Sequence, residues 1–256
     1  FLNQLIGNLP NSVVQVALYN GIVMGGGVGL SVHAKYRVAS EKTLFAMPEV
    51  SIGLFPDVGG SHFLSRLSGN IGMYLALTGD RLRGADILHA GVATHYVPHD
   101  SFEALEKDLL NARDSGEVSK ILQSYSENGD ELPNTLAENI DAIERVFGLN
   151  SVEAILSALG NEQGDWAAKC KKMILKASPT SLRITHRQVR EGGRLSFSEC
   201  FDMEYEMTRE ISRNHDFFEG VRAVMIDKDG PPRWDPSALD QVSDEMVNRY
   251  FPKLSN

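Results

Sequence analysis

Apolar positions along the chain come in two textures. Up to about residue 99 they form short apolar runs punctuated by glycine and proline, and beyond it they recur at helical spacing. SVVQVALYN (12–20) reads as a buried strand ending near Asn20, and YRVASE (36–41) and TLFAMPE (43–49) as two more, the last broken by Pro48. GIVMGGGVGLSVHA (21–34) places three consecutive glycines ahead of a helical segment. Helices are expected at SHFLSRLS (61–68), at NIGMYLALTG (70–79) with Gly79 as its cap, and at GADILHAG (84–91), followed by a strand at THYVP (94–98).

The second texture is helical with polar loops. SPTSLRITHRQVREGG (178–193) has Ser178 and Pro179 as cap and first-turn residues and Gly192 as a stop. SFSECFDMEYEMTREISR (196–213) is a long amphipathic helix, and DKDGPPRWDP (227–236) a turn-rich tail. The pattern therefore divides the chain into a strand-bearing part, 1–99, and a helical part, 100–256. The opening residues Phe1, Leu2, Leu5, Ile6 and Leu9 are apolar at helical spacing, without the basic start and cleavage site of a signal peptide.

Composition narrows the function classes. With 42% hydrophobic and 23% charged residues, the 256-residue chain can bury a substantial core. A net charge of -9 argues against sequence-independent binding to nucleic acid or anionic membrane. Two cysteines, Cys170 and Cys200, make no disulfide framework, and no apolar run is long enough to span a bilayer. The 7 histidines form no metal-ligand pairing with each other or with cysteine, so no metal site is expected. No G-x-S-x-G occurs, which removes the α/β-hydrolase type of thioesterase. The run KCKKMILK (169–176) reads as a solvated helix face.

Two features suggest chemistry. The glycine cluster fits neither a dinucleotide fingerprint nor a P-loop. Gly25, Gly26 and Gly27 either pack a strand closely on a helix or bring backbone N–H groups to a ligand at a helix start, where they can hold an oxyanion. In the mostly apolar stretch LFAMPEVSIGLFPDVGG (44–60), Glu49 and Asp57 each follow a proline, and a buried acid needs a partner, solvent or a task. The plainer readings are a helix-start acid for Glu49 and an N-cap for Asp57. His62 and Phe55, flanking Asp57, are candidate pocket residues.

The segment NGIVMGGGVGLSVHAKYRVASEKTLFAMPEVSIGLFPDVGGSHFLSRL (20–67) resembles the crotonase (enoyl-CoA hydratase/isomerase) superfamily. The likeness continues through 74–97, SPTSLRIT (178–185) and HDFFEGVRAVMIDKDGPPRWDP (215–236), and is weakest between about Asp100 and Leu175. It implies an α/β fold: a crotonase-like spiral core of ββα turns, here its C-terminal part, followed by a helical C-terminal region. Its substrates are acyl-CoA thioesters, so coenzyme A arrives as part of the substrate and no separate cofactor is expected. Gly26 matches the family's second oxyanion donor. Glu49 matches the glutamate of its Pro-Glu pair. Gly29 stands where hydratases carry a further catalytic glutamate, which argues against hydration. Asp57, eight residues past Glu49, matches the hydrolase branch, whose substrate is 3-hydroxyisobutyryl-CoA of valine breakdown.

The resemblance also marks a departure. No F-x-A-G-x-D loop, the family's first oxyanion donor, occurs, so the N-terminal strands are expected from elsewhere: a segment outside this sequence, a separate chain or an oligomer partner. Trimeric or hexameric assembly and a mitochondrial location are implied by the family alone. The rival readings are an enoyl- or dienoyl-CoA isomerase and a non-catalytic acyl-CoA-binding chain.

Overall fold

A computed structural model describes residues 2–10 and 13–251, so Phe1 and Ser12, each the first residue of an expected element, lie outside it. The chain divides into two compact units, each assembled from separate stretches: residues 1–46 with 81–139, and residues 47–80 with 140–256. The last strand among the described residues ends at Tyr96, and each unit draws on residues from both sides of residue 99. Residues 47–80 belong with the later helices.

Among the described residues the first unit holds all the strands, and they are short. β1 (Val16–Leu18), β3 (Tyr36–Ala39) and β6 (His95–Tyr96) form one parallel sheet in the order β1-β3-β6, with Val16 opposite Tyr36 and Val38 opposite His95. β2 (Ile22–Val23), β4 (Leu44–Phe45) and β5 (Leu82–Arg83) form a second, in which β2 runs parallel and β5 antiparallel to β4. Because β1 and β2, then β3 and β4, divide between the two sheets, each chain turn adds one strand to both. That is the repeat of a ββα spiral, as expected.

Side chains from β3 and its neighbours build the core of this unit. Val38, Val97, Phe102, Leu105 and Leu122 are enclosed, with Val16, Leu18 and Tyr36 packed against them. Corners between strands are tied by side chains whose polar groups reach backbone carbonyls. The Thr43 hydroxyl donates to the Tyr19 carbonyl at 2.5 Å, and Arg37 donates to the carbonyls of Val92 and Ala34, each at 2.7 Å. These ties satisfy carbonyls that two- to four-residue strands leave unpaired.

The second unit is helical. The helix Ile71–Thr78 is buried on every face and ends at Gly79, whose φ of 63° and N–H to the Leu75 carbonyl make the expected left-handed cap. The helix Pro179–Gly192 starts as expected, with the Ser178 hydroxyl accepting from the Ser181 N–H. Its last residue is Gly192, the expected stop, and no side chain fits there, since a Cβ would collide with the Ser61 backbone. The helix Phe197–Ile211 opens with a reciprocal capping box between Ser196 and Glu199 and turns Cys200, Met203, Met207 and Ile211 inward. Its methionines, with Phe55, Ile184, Val242, Val247 and Tyr250, make the core. Among the described residues no helix is long and apolar enough to cross a membrane.

Candidate active site

In the first unit the glycine cluster forms the entry to the helix Gly26–Ser31. Gly25 is its N-cap with φ 51° and ψ -125°, a conformation side chains disfavour. The first acceptors of the helix are Met24, taking the Gly27 N–H, and Gly25, taking those of Val28 and Gly29. The Gly26 N–H has no acceptor among the described residues, as the first turn of a helix dictates. A Cβ built on Gly25, Gly26 or Gly27 would meet nothing within 4 Å. Close strand–helix packing, one of the two readings of this cluster, therefore does not account for these glycines among the described residues. They leave an open face with a free donor.

In the second unit Pro48 leads into a one-turn 3₁₀ helix, Glu49–Ile52, closed by Gly53 at φ 71°. Gly53 and Leu54 both donate to the Glu49 carbonyl. The turn is clamped from behind by the helix His215–Val221: a Cβ on Gly220 would strike the Ile52 backbone, and one on Gly53 the Asp216 backbone. Asp216 is itself buried and takes hydrogen bonds from the Ser178 hydroxyl at 2.5 Å and the Asp235 N–H at 2.8 Å. Ser178 in turn donates its N–H to the Val50 carbonyl. The segment bearing Glu49 is thus fixed by backbone contact and by a polar chain.

Glu49 is the first residue of that turn, as its helix-start reading has it, yet its side chain is only 4% exposed and its Oε2 has no hydrogen-bond partner among the described residues. Burial pushes its carboxyl up to about 8, and the nearby charge of Asp57 adds to the rise. Asp57 is half-buried and is also raised, by burial. The second unit therefore brings the two sequence-predicted acids together.

The Asp57 carboxylate does not cap a helix. The following helix is Gly60–Leu64, its N-cap is Gly59, and only the Asp57 carbonyl takes part, accepting from the Gly60 N–H at 2.9 Å. The capping acid is Glu204, from the middle of the long helix. Its carboxylate accepts from the Gly59 N–H at 2.8 Å, from the Ser61 N–H at 2.9 Å, and from the Ser61 hydroxyl. On the other side of Asp57, buried Gln188 donates to the Pro56 carbonyl at 2.7 Å.

The other two candidates are Phe55 and His62. Phe55 is fully enclosed in the core around Met207 and Tyr250. The His62 ring stands edge-on to Phe197, with centroids 5.0 Å apart. Sequence reading missed Glu204, Gln188 and Asp216. Glu204 did leave a signal: it is an acid within the apolar stripe of Cys200, Met203, Met207 and Ile211. Among the described residues no three His, Cys, Asp or Glu side chains are grouped to hold a metal ion.

Comparison with known proteins adds kinship to this geometry. A family described as Enoyl-CoA hydratase/isomerase matches residues 1–251. A protein of Danio rerio named 3-hydroxyisobutyryl-CoA hydrolase, mitochondrial, is 50% identical over 99% of this chain and 67% of its own length. The protein of that name from Homo sapiens is 46% identical, over 100% of this chain and 67% of its own. The chain thus spans about two thirds of the length of these curated relatives. A carnitinyl-CoA dehydratase from Mycobacterium thermoresistibile superposes with a TM-score of 0.88 at 34% identity, over 99% of this chain and 71% of that one. An enoyl-CoA hydratase from Rhodobacter sphaeroides 2.4.1 does so with 0.82 at 35% identity, over 98% and 71%.

Proposed function

The chain belongs to the enoyl-CoA hydratase/isomerase family, and from that premise we propose that Glu49 and Asp57 serve hydrolysis of the 3-hydroxyisobutyryl-CoA thioester. Membership of the family makes an acyl-CoA the substrate. The relatives named for this hydrolase, similar along nearly the whole chain, identify the thioester and bring valine breakdown and the mitochondrial setting with it. The observation that carries the assignment of residues is a buried glutamate with one unpartnered oxygen beside a second acid. A rigidly held carboxylate with a free lone pair is arranged to meet something that is not part of the protein.

Glu49 in its ionised form takes a proton from water, whose oxygen adds to the thioester carbonyl, or adds to that carbonyl itself to give an anhydride that water opens. Either way the C–S bond breaks, the sulfur leaves as thiolate and takes a proton, and the products are the free acid and coenzyme A. Gly26 matches the family's second oxyanion donor, and by that resemblance its N–H is assigned to the developing oxyanion, a contribution of about 3 kcal/mol for one such group. Asp57 accepts the hydrogen bond of the substrate's 3-hydroxyl. Gly29 supports hydrolysis over hydration, since it supplies no second carboxylate. The chemistry needs no cofactor.

The test is thiol release from 3-hydroxyisobutyryl-CoA, with crotonyl-CoA hydration as control. Glu49→Gln is expected to lose at least about a thousandfold in turnover while remaining folded. Undiminished turnover in that variant would sink the assignment of Glu49.

A further inference from the structure

Between Asp57 and the helix Gly60–Leu64 the backbone passes through two left-handed residues in succession, Val58 at φ 57° and Gly59 at φ 85°. Glycine adopts that region freely, whereas a β-branched residue there is rare because its Cβ crowds the carbonyl oxygen. Such a conformation persists only where its surroundings enforce it, and the enforcing group is visible. The Glu204 carboxylate takes the N–H groups of Gly59 and Ser61, at 2.8 and 2.9 Å, together with the Ser61 hydroxyl. Two amides converging on one buried anion close the turn as a bound ion closes a backbone nest. Glu204 is 5% exposed and reaches this turn from 145 residues along the chain.

We infer that Glu204 is a positioning residue for Asp57: its carboxylate holds the Val58–Gly59 turn in the left-handed form that fixes where the Asp57 side chain stands. Gln188 fixes the preceding carbonyl, so the backbone is anchored on both sides of Asp57. The charge of Asp57 adds to the upward shift of the buried Glu204 carboxyl. The turn therefore sets the geometry of the acid that selects for a 3-hydroxyl, and Glu204 acts on selectivity without touching substrate. This rests on the role of Asp57 proposed above.

The readout is the ratio of kcat/KM for 3-hydroxyisobutyryl-CoA to that for isobutyryl-CoA, measured on the full polypeptide. A merely structural defect lowers the active fraction and leaves this ratio untouched. Asp57→Asn is expected to cut the ratio at least about tenfold. Glu204→Gln, which offers an amide where a second acceptor stood, is expected to cut it about threefold or more, and Ser61→Ala less, in the same direction. Adding Val58→Gly to Glu204→Gln should restore most of the ratio, because glycine holds the left-handed form unaided. A ratio unchanged in both Glu204→Gln and Ser61→Ala, with Asp57→Asn still reducing it, overturns the positioning role alone. A ratio unchanged in Asp57→Asn overturns that role and the reading of Asp57 together.

Discussion

Glu49 and Glu204 are carboxylates of the same compact unit, 4% and 5% exposed, and they are satisfied in opposite ways. Both Glu204 oxygens accept hydrogen bonds, whereas among the described residues Oε2 of Glu49 accepts none. Desolvation raises both, Glu49 to about 8 and Glu204 only to about 7, where its three donors pull against burial. Burial alone thus does not mark a functional acid. Of two equally hidden carboxylates, one has a full set of partners and the other leaves an oxygen without one among the described residues.

The contrast should appear first in stability, with opposite signs. Glu204→Ala leaves two buried amides and a hydroxyl without their acceptor and should cost about 3 to 5 kcal/mol in urea unfolding. Glu49→Gln should do the reverse at alkaline pH. Between the ordinary carboxylate range and about 8 the folded chain holds a proton on Glu49 that the unfolded chain has released. Stability is therefore lost as pH rises through that window. The glutamine variant escapes this loss, with a gain on the order of 2 kcal/mol at pH 8 that fades toward pH 5. Similar losses in both variants would break the comparison.

Turnover sharpens it next. If the ionised Glu49 does the work, kcat/KM should rise about tenfold per pH unit up to a break near 8 and then flatten. A break in the ordinary carboxylate range would mean that the free enzyme keeps Glu49 ionised at neutral pH, and the comparison with Glu204 would lose its electrostatic half.

How much of this was legible in the sequence depends on how local each cause is. Glu49 and Asp57 stood out because acids in an apolar segment are conspicuous, and the caps at Gly79 and Ser178 are written within a few residues. β2 and β5, two residues each, carry too short a pattern for alternation to reveal. Gly192 ends its helix as read, but the reason that no side chain fits there, the Ser61 backbone, is remote in sequence. The same holds for the cap at Gly59: proximity pointed to Asp57, but the acid that does the capping comes from position 204. The placement of Phe55 in the core likewise depends on helices more than a hundred residues away.

The smallest expected effect concerns the first unit, where among the described residues Gly26 has an unpaired donor as Glu49 has an unpaired acceptor. Gly220 shows what a packing glycine looks like, since a Cβ there would meet the Ile52 backbone. Gly26 has nothing within 4 Å of the same atom. Gly26→Ala should therefore change unfolding stability by no more than about 0.5 kcal/mol, with alanine's better helix propensity and the added surface nearly cancelling. If the open face receives an acyl-CoA, the methyl should raise KM for the thioester while the retained N–H limits the loss in kcat. A variant unchanged in both stability and KM would leave Gly26 as a helix start and nothing more. A change in KM alone would put the first unit's unpaired donor on the same footing as Glu49, a group left without a partner because the substrate supplies one.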